Sequence, residues 1–175
     1  ILKLLNKMIS HNLKSFCMVA NGVSYVTEET IQKYYPCKAI LNGESKNYFT
    51  SSYSTITLDD SAFSGRRCFD EKEELTLVLS DVAMNTERKG ERVLLDALKY
   101  AIDKGCKYRA IIIGDGSKKP EFEQYAVDLG VSESVVFTGL LSSSKEVHNR
   151  LMEADIFVFP TQGEGLPRGI IEAMA

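Results

Sequence analysis

The chain has 175 residues, enough for one domain and part of a second. Its 44% hydrophobic and 26% charged residues are the balance of a folded globular protein, which excludes a disordered or membrane-embedded chain. A formal net charge of -3 without a dense Lys/Arg run offers no surface able to neutralise a row of phosphates, so nucleic acid is not an expected partner.

The chain begins "ILKLLNKMISHNLK", with polar residues at helical intervals, which predicts a helix over about residues 1–14 and neither a signal peptide nor an anchor. No apolar stretch approaches the roughly 18 residues that span a bilayer. The start lacks a Met and falls within an amphipathic pattern, so the chain is expected to be cut at its N-terminus. A short strand, "GVSYVT", follows, then a helix in "EETIQKYYP" that Thr27 caps and Pro36 closes. Residues 1–40 are therefore read as the remnant of one α/β domain, and 41–73, rich in Ser, Asn, Asp and Tyr, as a linker.

From residue 74 the pattern is regular. Strands "LTLVL", "YRAIIIG", "VVFTG" and "IFVFP" alternate with helices "GERVLLDALKYAIDKG", "KKPEFEQYAVDLG" and "SSKEVHNRLMEAD", and a last helix opens near the C-terminus. Apolar strands separated by helices predict a Rossmann-like parallel sheet covered on both faces. In the first helix Val93, Leu94, Ala97, Leu98, Ala101 and Ile102 form the expected buried stripe. Ser143 and Glu146 have capping-box spacing. The four strands fall short of a full doubly wound sheet, so the domain over 74–175 is expected to be incomplete.

Cys17, Cys37, Cys68 and Cys106 are irregularly spaced and read as free thiols of a cytoplasmic protein, with neither a zinc site nor a disulfide frame. His11 and His148 have no visible catalytic partner. Gly114 and Gly116 in "IIIGDGS" lack the third glycine of a dinucleotide fingerprint, which favours a tight structural turn. Lys89 precedes a helix. Spacing alone makes it a solvated lysine, the alternative being an ammonium that reaches over the C-terminal edge of the sheet.

The last stretch combines several features. "IFVFP" is a strand, "TQGEG" a loop, and "LPRGIIEAMA" a helix opening, with Pro167 suited to its first turn. Backbone N–H groups at a helix start hold a diphosphate without a metal. Glu164 and Glu172 flank that point, and a carboxylate matches a vicinal diol, so the pair suits a molecule with hydroxyls at both ends, such as a nucleotide-sugar. The other reading of the same spacing makes Glu164 a loop residue and Glu172 a surface helix residue.

These segments resemble the glycosyltransferases of family 4, which have the two-domain GT-B fold. "VSYVTEETIQKYYP" is similar to the end of their acceptor domain. "ERKGERVLLDALK", "IIIGDGSKKPEFEQYAVDLGVSESVVFTGLLSSSKEV" and "ADIFVFPTQGEGLPRGIIEAMA" are similar to consecutive parts of their donor domain, including the signature of two glutamates with seven residues between them. The resemblance implies a metal-independent enzyme that moves a sugar from a nucleotide-sugar donor to a saccharide or lipid-linked acceptor with retention of configuration. It implies that Glu164 contacts the transferred sugar and Glu172 the ribose. Amides around Gly165 and Leu166 would face sugar and phosphates, Lys89 would neutralise the diphosphate, and Gly139 and Leu140 would lie near the base. No cofactor is expected, and the whole protein would work in the cytoplasm, where a peripheral contact with the membrane is compatible with its role. Many relatives carry an arginine just after the first donor-domain strand, where this chain has Ser80 and Asp81, with Arg88 beside Lys89. Two alternatives are an epimerase of GT-B shape and a non-catalytic nucleotide-sugar-binding module. With the acceptor domain mostly absent, the piece alone is expected to be inactive.

Overall fold

The computed structural model describes residues 2–53, 56, 58, 60–65, 72–164 and 167–175. The chain divides into two compact units, Ile1–Thr57 and Leu58–Ala175.

In the first unit, helix α1 (Leu2–Val19) leads to strand β1 (Gly22–Tyr25), short helices α2 (Thr30–Tyr34) and α3 (Lys38–Asn42), and strand β2 (Phe49–Ser52). α1 runs past the expected end at Lys14 because its last turns carry Cys17 into the small core with Tyr25, Cys37 and Ala39. The N-cap position of α2 falls on Glu29, which makes no side-chain cap bond, and not on Thr27; the Thr27 hydroxyl oxygen, two residues earlier, accepts from the Ile31 amide at 2.9 Å. β2 lies within the stretch expected to be a linker. It pairs in parallel with β1, Gly22 opposite Phe49 through Tyr25 opposite Ser52, and so satisfies backbone groups that its Ser-rich sequence gave no hydrophobic reason to pair.

The second unit is built on strands β3 (Leu75–Ala83), β4 (Tyr108–Asp115), β5 (Val135–Phe137) and β6 (Ile156–Phe157), all parallel and ordered β5-β4-β3-β6. They alternate with helices α4 (Glu91–Asp103), α5 (Lys119–Asp128) and α6 (Ser144–Glu153), and α7 (Arg168–Met174) follows β6. Parallel neighbours cannot be joined by a tight hairpin, so each connection crosses over through a helix. Alternate residues of the central strands serve opposite faces. Leu77, Leu79, Ala110 and Ile112 pack with Leu94, Leu95, Leu98 and Phe122 of α4 and α5, whereas Val78, Ile111 and Ile113 pack with Leu151 and Ala154 at the end of α6. This is the expected α/β sheet with helices on both faces.

The buried stripe of α4 is rotated from the expected one. Glu91, Leu94, Leu95 and Leu98 are buried, while Val93 is 54% exposed and Ala97 is also exposed. The sheet fixes which face turns inward, and two adjacent leucines outcompete the Val93 side. At α6, the Ser143 hydroxyl accepts from the Glu146 amide at 3.2 Å, half of the expected capping box. The Glu146 carboxylate reaches one residue further back, to the amide and hydroxyl of Ser142 at 2.8 and 2.9 Å, and these bonds lower its pKa. Pro167 stands just before α7 rather than in its first turn.

Leu79 is fully buried at the centre of the sheet. Leu79→Ala is expected to cost about 2–5 kcal/mol of stability, because the rigid strand cannot collapse into the void. Urea denaturation of the two proteins checks this.

Candidate donor-binding site

The strand order places a reversal beside β3. From β3 the chain moves to β4 and β5 on one side and then returns to place β6 on the other. In open α/β sheets, ligands bind at the C-terminal ends of the strands where the order switches in this way. Two loops emerge at that point, 84–90 after β3 and 158–164 after β6.

Backbone contacts lock the loops together. The Arg88 carbonyl accepts from the Gln162 amide at 3.0 Å and from the Thr161 hydroxyl at 3.1 Å. The Arg88 guanidinium returns a bond to the Gly163 carbonyl at 3.2 Å. Gly90 has a left-handed backbone with φ of 90°. A Cβ there would stand 2.5 Å from the Pro160 carbonyl oxygen and 2.6 Å from Pro160 Cγ, so only glycine allows this approach.

That lock sets Lys89 against Glu164. Lys89 Nζ is 2.6 Å from Glu164 Oε1, and their side chains are only 29% and 26% exposed. The ammonium also lies 5.3 Å from the centre of the Phe159 ring, which stacks on Phe157. Lys89 is therefore held at the C-terminal edge rather than solvated.

The other residues singled out in the sequence are placed as follows. Glu172 lies on α7, its side chain 27% exposed, with Arg168 Nη2 3.8 Å away. No hydrogen bond or ion pair joins Glu172 to Lys89 or Glu164 among the described residues. Gly139 follows β5 with φ of 71°, and its carbonyl accepts from the Gly114 amide at 3.1 Å. Leu140 is 67% exposed beside it. Gly139 and Leu140 are thus three strand positions from the Glu164 loop, on the order of 14 Å along the same edge. Gly165 and Leu166 lie outside the described residues, as does Cys68.

Gly114 and Gly116 are structural. A Cβ on Gly114 would meet the Asp81 carbonyl oxygen at 1.7 Å, and one on Gly116 would meet Met84 backbone atoms at 2.6 Å. The glycines let the β4–α5 turn lie directly on the end of β3, and the Ser117 amide completes the contact on Asn85 Oδ1 at 3.0 Å.

Ser80 and Asp81, towards the end of β3, are 9% and 5% exposed. Sequence reasoning missed three features here. Arg88 ties the loops and carries no motif. Phe159 lines the lysine, a role that its place in an apolar strand pattern does not signal. Glu91 is fully buried at the start of α4, and its signal was its spacing to Leu94, Leu95 and Leu98, the interval of a buried helical stripe. Among the described residues no group of three or more His, Cys, Asp and Glu is placed to hold a metal ion, and no helix is long and apolar enough to cross a membrane.

The Lys89–Glu164 pair thus stands at the switch point of the parallel sheet of an α/β domain. Residues 76–175 match the family model described as "Glycosyl transferases group 1", and the chain belongs to that family. It is 30% identical over 105 residues to the amylovoran biosynthesis glycosyltransferase AmsK of Erwinia amylovora, covering 57% of this chain and 26% of that protein. It is 23% identical over 172 residues to protein CapJ of Staphylococcus aureus, covering 98% of this chain and 41% of CapJ. The chain thus spans less than half the length of these relatives. Among solved structures, a mutant of S. aureus TarM in complex with fondaparinux, alpha-GlcNAc-glycerol and UDP matches with a TM-score of 0.63 at 23% identity, over 97% of this chain and 30% of that one. The lipopolysaccharide glycosyltransferase WaaG matches with a TM-score of 0.60 at 15% identity, over 86% of this chain and 40% of that one. The fold is that of the GT-B glycosyltransferases.

Gly90→Ala is expected to destabilise the unit by about 1–3 kcal/mol through the left-handed backbone alone, before the collision with Pro160 is added. A thermal melt that leaves Gly90→Ala level with the wild type would contradict the lock.

Proposed function

We propose that this chain supplies the donor-nucleotide half of a retaining glycosyltransferase of family 4, acting without a metal on a nucleotide-sugar and a saccharide or lipid-linked acceptor. The observation that carries the reading is the Lys89–Glu164 pair, held at 2.6 Å by two locked loops at the switch point. Residues 1–40 belong in this reading to the acceptor side, and 74–175 to the donor side.

As the bond between sugar and phosphate breaks, the anomeric carbon gains oxocarbenium character and negative charge gathers on the departing diphosphate. Lys89 is the cation placed to meet that charge. When the diphosphate takes the ammonium, the Glu164 carboxylate is released to accept from sugar hydroxyls and orient the ring. Glu172 would accept from the ribose diol and Gly139–Leu140 would flank the base. Their separation along one edge suits an extended ligand that crosses several strands. Amides at Gly165 and Leu166 remain part of the proposal through the family resemblance. The complex of TarM with UDP makes UDP a reasonable first probe. Cytoplasmic action, with peripheral membrane contact where the acceptor is lipid-linked, follows from the same reading.

Glu172→Ala is expected to weaken UDP binding by about 1.5–3 kcal/mol, the worth of a charge-assisted hydrogen bond. Lys89→Met should weaken UDP more than it weakens uridine, since only the former carries the diphosphate. Calorimetry with both ligands checks the pair, and equal losses for UDP and uridine in Lys89→Met would remove Lys89 from the phosphate site. In the full-length protein, slow release of free sugar from the donor supports a transferase. A changed sugar on intact diphosphate would favour an epimerase, and tight binding without turnover a binding module.

A further inference from the structure

Glu91 opens α4 directly after Lys89 and Gly90 and is fully buried. Neither of its carboxyl oxygens has a hydrogen-bond partner of ordinary donor type, and the same holds for Asp81 Oδ2. Asp81 Oδ1 is occupied, accepting from the Ala83 amide at 3.2 Å within the irregular end of β3. The two side chains are within hydrogen-bonding reach of each other. Two carboxyl groups brought together in a buried place satisfy each other only if one keeps a proton. Glu91 protonated and donating to Asp81 Oδ2 accounts for two of the three unpartnered oxygens, Asp81 Oδ2 and one of the Glu91 pair.

We propose that Glu91 is a positioning residue for Lys89, tying the start of α4 to the end of β3 through one proton shared with Asp81. β3 and α4 bracket the loop 84–90, so this bond fixes the second end of the segment whose first contacts are those of Arg88 and Gly90 with the β6–α7 loop. Its consequence for catalysis rests on the donor-site reading of Lys89; its consequence for the loop does not.

The charged groups around the pair are engaged elsewhere. Asp81 faces Glu91 from β3. On α4, Arg92 is turned to Glu87 and Glu121, and Lys118 at the start of α5 pairs with the same two. Lys89 is bound to Glu164 and Arg88 to the Gly163 carbonyl. From β4, Asp115 Oδ1 accepts from the Gly116 amide at 2.8 Å. Burial first, and Asp81 second, push Glu91 from an ordinary 4.5 to about 7, against an opposing pull from the Glu91 and Gly90 amides, which fall outside hydrogen-bond geometry. The folded-state value is raised, so the stabilisation is complete below the ordinary value and is lost as pH rises through about 7.

The test follows the backbone amide signals of Lys89 and Gly90 by NMR, with UDP affinity measured in parallel, across the range from about pH 5.5 to about pH 8.5. In the wild type both amides are expected to shift with a midpoint of about 7. Glu91→Gln, whose amide still donates to Asp81, should stay folded and abolish that titration, and Asp81→Asn should move its midpoint down. Because the terminal phosphate of UDP itself titrates near pH ~6, in both proteins, the expected signal is a fall in the UDP affinity of the wild type relative to that of Glu91→Gln as pH rises. Amides that do not titrate near this midpoint, or that titrate equally in Glu91→Gln, would overturn the proposal. Titrating amides with no UDP binding at any pH would support it while overturning the donor-site reading.

Discussion

The structure depends on the joining of two loops that are far apart in sequence. Arg88 donates to and accepts from the segment 161–163, and Gly90 backs onto Pro160 at a distance that no side chain tolerates. These contacts convert the reversal of strand order beside β3 from a topological feature into a defined place. Without them Lys89 would be one more lysine on a surface loop, with the entropy of its flexible stem working against any fixed position. With them, its ammonium is fixed on Glu164 and against Phe159.

The electrostatics of the edge follow from this arrangement. Lys89 and Glu164 neutralise each other while the site holds no ligand, so neither is left as an uncompensated, partly buried charge. In the function proposed above, a diphosphate would compete for the ammonium, since it offers more negative charge than one carboxylate. Beneath them, Asp81 and Glu91 are buried at the end of β3 and the start of α4.

Much of the second unit is legible in the sequence because buried parallel strands leave a plain mark. "LTLVL" and "RAIIIG" are apolar on both faces, and the intervening helices are long and amphipathic. The strand order is not written in any local pattern, and so the meeting of Lys89 with Glu164 is accessible only through family resemblance. β2 leaves no such mark because Phe49–Ser52 pairs through its backbone and buries little. The α4 stripe differs from its expected place because Val93 and Leu95 compete for nearly adjacent positions on the helix, and the sheet decides between them. Glu91 is hidden by its chemistry: its spacing marks it as buried, but a carboxylate is not expected there unless a partner, in this case Asp81, shares its proton. Arg88 has no sequence signal, since its work is done largely by its carbonyl.

In the function proposed here, Lys89 exchanges Glu164 for the diphosphate of a nucleotide donor. The most direct measurement is a crystal structure of the protein with UDP bound. The diphosphate is expected within hydrogen-bonding distance of Lys89 Nζ, at the C-terminal ends of β3 and β6, with Glu164 drawn away from its present 2.6 Å contact. A diphosphate bound elsewhere on the sheet, with the Lys89–Glu164 pair intact, would contradict it.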